Sequence, residues 1–213
     1  MDSDITNSTF SVLMNVGGLV TSATNASTFI TNLNTTFTED SDLDDYFIAF
    51  TAGANTAGGD VASLEFVCGD NWRINFEALP VGLGNLAAGD LLKTTGFTNE
   101  ENNGFWLINS VDVSGNGSIT FTNTQAIAEI GNGSALGSQK RQVSRYQATG
   151  SVATSTAFSN TPTAADPCLV IPRTTANVVD YLNNVRITSL STKAAIEASS
   201  VSTRVQISSY LDG

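Results

Sequence analysis

The residue types that most often carry out chemistry in proteins are scarce in this chain. None of its 213 residues is histidine, which removes the commonest general base, the histidine-dependent catalytic triads and most zinc and iron sites. The segments 115–117 and 131–133 read Gly-Asn-Gly but lack the Gly-Lys-Ser/Thr that completes a phosphate-binding loop. Gly82-Leu83-Gly84 similarly lacks the rest of a dinucleotide fingerprint. We therefore predict no enzyme, no catalytic or cofactor-binding residues and no cofactor.

Two cysteines and one acidic cluster remain as possible ligands. Cys68 and Cys168 are too far apart in sequence to form a zinc motif, and either a disulfide or two buried free thiols is compatible with the sequence. Residues 40–45 contain four Asp but have neither the glycine nor the glutamate that an EF-hand requires at its sixth and twelfth loop positions. We interpret this cluster as a solvated strand entry that discourages edge pairing, and we predict no metal site.

Two aromatic residues could serve a sugar-binding surface. Trp72 and Trp106 are the only tryptophans that could form a platform for glycan binding. An enzyme acting on sugars would need no more than a pair of carboxylates in addition. Aromatic side chains contribute disproportionately to burial energy. We therefore interpret both tryptophans as core or interface anchors, and an enzyme acting on cell-wall sugars is the weakest alternative.

The charge of the chain is unevenly distributed. The net charge is −11; residues 1–72 contain ten acids and no Lys or Arg, whereas residues from 130 onward contain seven bases and four acids. An acidic front and a mildly basic back could form complementary faces between identical subunits, or the acids could form a solvated surface. Binding to duplex DNA is disfavoured, because no dense basic patch is present to neutralise phosphates.

The elements that would position these residues are predicted to be strands. The chain is 41% apolar and only 14% charged, and its many Thr, Val, Ile and Phe favour strands while Asn and Gly favour turns. Strands are predicted at 46–51, 61–67, 72–76, 91–95, 105–113 and 119–122, with a hairpin turn at 115–117. Gly17-Gly18 and Gly58-Gly59 are interpreted as breaks between strands, and 131–137 as a loop.

The resulting fold class is all-β, an antiparallel β-sandwich or barrel with extended loops or arms and at most one or two short helices. Residues 1–36 are predicted to be an N-terminal arm or strand, and 37–213 a β-sandwich domain. Within that domain 46–122 is the best-supported core and 148–167 an extended loop. A short helix is predicted near 175–183, and two closing strands at 185–187 and 201–207.

Targeting signals are not evident. The sequence contains no run of about 18 apolar residues, so no membrane span is predicted. The N-terminus has no basic region followed by an apolar stretch, so no secretion signal is predicted. We expect the product to remain in the producing cell or to enter an assembly made there.

Two segments resemble tailed-bacteriophage structural proteins. The first runs Phe-Thr-Ala-Gly-Ala-Asn at 50–55, followed by Leu-Pro at 79–80 and Ala-Gly-Asp at 88–90. The second reads Gly-Phe-Thr-Asn at 96–99 and Asn-Asn-Gly at 102–104, and it resembles a hairpin of phage tail tube proteins. Together these segments cover about residues 46–122.

The resemblance implies a virion component used many times per particle, located in the virion and assembled in the host cytoplasm. The leading expectation is a tail tube subunit that forms stacked rings around a channel through which DNA passes without specific binding. A capsid decoration or cement protein is the alternative, and a glycan-binding receptor module is a weaker one. The expected partners are other copies of this chain, in a homo-oligomeric ring or shell, and other virion proteins.

Overall fold

The computed structural model describes residues 16–33, 46–147 and 150–172. The described residues contain twelve strands and two single-turn 3-10 segments, at Leu83–Asn85 and Glu100–Asn102. The strands are β1 Val16–Asn25, β2 Thr28–Leu33, β3 Tyr46–Phe50, β4 Thr56–Cys68, β5 Asn71–Phe76, β6 Leu91–Thr95, β7 Gly104–Asp112, β8 Ser118–Thr122, β9 Glu129–Ser138, β10 Lys140–Tyr146, β11 Ser151–Thr154 and β12 Pro167–Pro172. The predicted all-β class is confirmed.

The strands form two closed antiparallel sheets of six strands each. The first barrel has the order β1-β12-β3-β10-β11-β2, and the second has the order β4-β5-β8-β7-β6-β9. The second barrel is one continuous stretch of chain inserted between β3 and β10. The first barrel is assembled from segments on both sides of that insertion, and its β1 pairs with β12, Val16 lying opposite Val170.

Alternating apolar residues build the second barrel. In β5, Ile74 and Phe76 are buried and Trp72 packs against the same core, whereas Arg73 points to solvent. This inward–outward pattern is the one predicted from the sequence. The hairpin turn at 115–117 also lies where predicted, between β7 and β8, with positive φ at Gly115 and Gly117.

The core of the first barrel is built around three phenylalanines. Phe29 and Phe50 lie with their ring centroids 5.7 Å apart, and Phe158 packs edge-on against Phe50 at 4.7 Å. Tilted and edge-on aromatic pairs add to the free energy of burial. Phe158 comes from the loop between β11 and β12 and fixes that loop to the core.

The two barrels pack side by side through a third apolar cluster. Its members are the outward-facing Phe47, Ala49, Leu169 and Ile171 of β3 and β12 and Leu91, Phe105 and Leu107 of β6 and β7. Because side chains alternate along a strand, β3 and β12 supply residues both to the first core and to this contact.

Three glycine-based expectations are wrong. Gly17-Gly18 lies inside β1, Gly58-Gly59 lies inside β4, and 131–137 belongs to β9 rather than to a loop. The glycines in β4 and β9 allow close packing: a Cβ at Gly58 would clash with the backbone of Ala135, and one at Gly137 would clash with Leu86. Glycine in a strand can mark such a close approach as well as a break.

The structure bears in part on the predicted N-terminal arm, the predicted loop and the predicted C-terminal elements. β1 and β2 come from the stretch predicted to be an arm or strand, and β11 lies within the predicted loop 148–167. The domain boundary at 36/37 stays a prediction, because residues 34–45 lie outside the described residues. The predicted helix at 175–183 and the two closing strands also lie outside them.

Candidate functional site

The connections between the barrels form a polar junction, which we define by Asn55, Asp90, Gln139, Arg141 and Asn160. The chain crosses between barrels twice, at 51–55 and at residue 139, and the backbone amide of Gln139 donates to the carbonyl of Asn55 at 3.1 Å. The buried Asn55 side chain donates to the carbonyl of Asn160 and accepts from its amide, both at 3.0 Å. The junction therefore ties both crossings to the β11–β12 loop.

A buried carboxylate holds the other side of the junction. Asp90 is 3% exposed, and its Oδ1 lies 3.1 Å from Nη1 of Arg141. The same oxygen accepts from the amide of Lys140 at 2.8 Å, and Oδ2 accepts from the amide of Ala87 at 3.0 Å. An ion pair with these additional hydrogen bonds satisfies a charge that would otherwise be costly to bury. Asp90 comes from the second barrel and Arg141 from the first, so this contact crosses the interface.

The guanidinium of Arg141 extends the junction further. Its Nη2 donates to Oε1 of Gln139 at 2.8 Å, and Nε donates to the carbonyl of Ala157 at 3.1 Å. It also lies 5.4 Å from the ring centroid of Phe158, a geometry that permits a cation–π contact. Arg141 is therefore held on several sides, and a planar side chain with many donors suits that position.

A neighbouring lysine is also partly removed from water. The Nζ of Lys140 lies 4.2 Å from the ring centroid of Phe47. Burial lowers the pKa of Lys140, while the charge of Asp90 opposes that change. The ammonium therefore rests on the interbarrel contact and is not freely available at the surface.

A second polar cluster fixes the loop between β6 and β7. Asn102 is fully buried; its Nδ2 donates to the Ile127 carbonyl at 2.8 Å and its Oδ1 accepts from the Ile127 amide at 3.0 Å. Asn103 closes the loop by accepting from the Phe97 amide and donating to the Phe97 carbonyl, both at 2.9 Å. The Asn-Asn pair of the second motif is thus an internal clamp.

Glu129 anchors the same loop from β9. Its carboxylate accepts hydrogen bonds from the Thr98 amide at 2.6 Å, and from the Nδ2 atoms of Asn99 and Asn102 at 2.9 Å each. Burial raises the pKa of Glu129, but these hydrogen bonds, with the Asn99 side chain foremost, outweigh it and lower the pKa from 4.5 to about 2. The carboxylate is therefore ionised at neutral pH and acts as an acceptor.

Both tryptophans pack against the core of the second barrel. Trp106 donates from Nε1 to Thr94 Oγ1 at 2.9 Å and packs against Phe121. Trp72 packs against the same core and contacts Phe66 edge-on, at 5.7 Å. Both are anchors, as interpreted from the sequence.

The two cysteines are free thiols in different barrels. Cys68 is exposed at the end of β4, whereas Cys168 is buried in the first barrel. Burial raises the pKa of Cys168 to about 12, so this thiol stays protonated and unreactive at neutral pH. The structure contains no disulfide between them, and of the two predicted buried thiols only Cys168 is buried.

Among the described residues, the acids and bases divide between the two barrels. The described first barrel carries three bases and one acid: Lys140, Arg141, Arg145 and Asp166. The second barrel carries nine acids and two bases: Asp60, Glu65, Asp70, Glu77, Asp90, Glu100, Glu101, Asp112 and Glu129, with Arg73 and Lys93. The described acids are therefore concentrated in the inserted barrel. The acidic cluster at 40–45 lies outside the described residues.

Surface features of the described residues add no reactive constellation. A shallow depression on the second barrel is lined mainly by polar groups and glycines: Asp60, Val61, Glu77, Thr95, Gly96, Asn132, Gly133 and Ser134. Within the described ranges no group of three or more Cys, Asp or Glu is placed to hold a metal ion, and no helix is long and apolar enough to span a membrane.

Sequence reasoning found part of this arrangement. Asn55 and Asp90 belong to the motif segments, although nothing in the sequence indicated that they meet at one junction. Sequence reasoning does not single out Gln139 or Glu129, because no local pattern marks them and the partners that place them, such as Ser159 and Asn102, lie 20 or more positions away. The only sequence signal for these two residues is that each is polar and lies within a segment that otherwise resembles a strand.

Comparisons of the chain with protein-family models, with curated proteins and with solved structures found no match.

Proposed function

We propose that this chain is a structural subunit of a tailed-bacteriophage particle, and specifically a tail tube protein that assembles into stacked rings around a DNA channel. The observation that carries the proposal is that the residues of the two phage-like motifs form hydrogen bonds within the fold. Asn55, Asp90, Asn102 and Asn103 all form hydrogen bonds inside the scaffold. Fully satisfied buried polar networks rigidify a fold and specify one arrangement.

Rigidity of this kind suits a repeated building block. A subunit used many times in one particle must present the same contact surfaces in every copy, and the junction fixes the relative position of the two barrels.

The acidic second barrel is compatible with a channel wall. DNA must slide through a tail tube, and acidic or neutral linings avoid trapping its phosphates. The exposed carboxylates of this barrel include Glu77, Glu100, Glu101 and Asp112. A wall formed by this barrel would therefore repel the DNA backbone.

The closure of both sheets favours a second candidate, a capsid decoration or cement protein. Closed barrels leave few unpaired strand edges, and a subunit that lines a tube with a continuous sheet would need such edges. A decoration protein clamps a shell through side-chain contacts, which closed barrels can supply.

Electron microscopy of the purified full-length chain, and of particles that contain it, separates the two candidates. The tail tube proposal predicts tubes of stacked rings from the chain, and the same rings within tails. Binding to capsid shells without any tube formation would overturn the proposal and support decoration. Binding of the isolated chain to immobilised glycans, with neither tubes nor shell binding, would instead support the receptor module.

A further inference from the structure

The faces of the two barrels that lie farthest from each other carry opposite charges, and both expose apolar side chains. The barrels touch through β3 and β12 of the first and β6 and β7 of the second. In a closed ring of six strands, the strands opposite these are β2 and β11 in the first barrel and β4 and β5 in the second. These opposite strands, with the adjoining β1 and β10 in the first barrel and β9 in the second, form the distal faces of the molecule.

The distal face of the first barrel is apolar and basic. Leu19 and Ile30 are 49% and 40% exposed, although their neighbours Val20 and Phe29 are buried in the core, so both point outward. Exposed Arg145 lies on the adjoining β10, opposite Ala153 of β11. No acidic residue occurs in the described parts of β1, β2, β10 or β11.

The distal face of the second barrel is apolar and acidic. Val67 of β4 is 40% exposed, and Ile130 of β9, which lies opposite Ser63, is 86% exposed. Glu65 lies between them on β4 and accepts a hydrogen bond from Ser63 Oγ at 2.8 Å. Asp60 and Asp70 add negative charge along the same strand pair, and Arg73, opposite Glu65, is the single base there.

We infer that the distal face of the first barrel, with Leu19, Ile30 and Arg145, binds the distal face of the second barrel of another copy, with Glu65, Val67 and Ile130. This inference rests on the proposed role as a self-assembling structural subunit. Exposed aliphatic side chains on both faces supply apolar area, and the opposite charges select this pairing over contacts between two acidic barrels. Because the two faces differ, the contact is head-to-tail and can continue from copy to copy in a ring or a stack.

Charge reversal tests this pairing in the full-length chain. R145E and E65R each place like charges across the contact, and we expect each variant alone to associate at least about tenfold more weakly than the unaltered chain. An equimolar mixture of the two variants should associate again, because each face then meets an opposite charge. E100R, which reverses an exposed acid away from the distal face, is the matched control and should associate normally. Sedimentation velocity at low and high salt measures the unaltered chain, the three variants and the mixture, and circular dichroism checks folding.

Three results would overturn the inference: an unaltered chain that remains monomeric, variants that associate as well as the control, or a mixture that does not recover. The outcome is separable from the proposed function. Tubes or tails that contain the chain but still form from R145E and E65R would leave the virion role intact and reject this contact alone.

Discussion

The two barrels have the same number of strands but differ in how the chain builds them and in their charge. The second barrel is one continuous segment that contains the hairpins β4–β5, β6–β7 and β7–β8 and carries nine acids, whereas the first is closed by β1 and β12 from distant parts of the chain and carries one acid among its described residues. Local pairing costs less loop-closure entropy than distant pairing. The second barrel is therefore suited to form first, and the first barrel to close after it.

This difference makes the junction between the barrels the decisive part of the fold. The ion pair of Asp90 and Arg141 and the apolar cluster around Leu91 and Ile171 join two units that otherwise have separate cores. If these contacts couple the barrels, the chain unfolds in one transition. If they do not, the second barrel can persist when the first has unfolded.

The largest expected effects come from removing a core ring in each barrel. Phe50→Ala in the first barrel and Phe121→Ala in the second each remove a fully buried ring, and we expect each to lower the free energy of unfolding by about 3–5 kcal/mol. With coupled barrels, both variants shift one common urea transition, measured by circular dichroism and tryptophan fluorescence.

Val81→Ala is the control for this pair, since Val81 is 94% exposed and its replacement should change stability by less than about 0.5 kcal/mol. Tryptophan fluorescence reports only on the second barrel, which contains both tryptophans. A Phe50→Ala transition seen by circular dichroism but not by fluorescence would show that the barrels unfold independently.

Asp90→Asn, at the junction, is expected to lower the free energy of unfolding less than the core substitutions do, but to change how cooperatively the two barrels unfold. Asp90→Asn keeps the shape of the side chain and removes the charge that neutralises Arg141. Because Arg141 is partly exposed, we expect a loss of about 1–3 kcal/mol, with the single transition broadening or dividing in two. Glu100→Gln, an exposed acid away from the junction, should leave the transition single. An Asp90→Asn transition as narrow as that of the unaltered chain would contradict coupling through this pair.

The same contrast explains how much of the fold the sequence could predict. The strands of the second barrel were largely recovered because Trp72, Ile74 and Phe76 alternate and Gly115–Gly117 marks a hairpin. The first barrel was not predicted as a separate closed sheet, since the pairing of β1 with β12 depends on residues about 150 positions apart. No local pattern encodes a pairing at that distance.

The candidate junction and the loop clamp were harder to predict than the strands. Glycines such as Gly137 were interpreted as loop residues, although their role is to allow Leu86 to cover the strand. Asp90 belongs to a motif segment, but nothing in the sequence marks Arg141 as its partner, and only the folded chain shows that the two side chains meet. Long-range polar contacts depend on the packing of whole elements, which single-sequence patterns do not report.

The smallest expected effect is on the stability of the second barrel at low pH. The pKa of Glu129 is lower in the folded chain, about 2, than its ordinary value of 4.5. Its hydrogen bonds therefore stabilise the fold fully above about pH 4.5, and this contribution is lost as the pH falls from 4.5 towards 2. Because the carboxylate is partly exposed and screened by water, we expect a contribution of about 1 kcal/mol or less.

Glu129→Gln tests this contribution in the second barrel alone. Urea midpoints measured between neutral pH and pH 3 should fall less steeply for the variant than for the unaltered chain. Identical pH profiles for the two proteins would show that the Glu129 clamp does not contribute to acid sensitivity.

The most direct test of the virion role is gold labelling of intact particles with antibodies against this chain. The tail tube account predicts that the chain is present in purified particles, and that label appears along tails once any outer layer is removed, at a regular axial repeat. Label confined to capsids would place the chain in the shell, and particles without the chain would contradict a structural role in the virion.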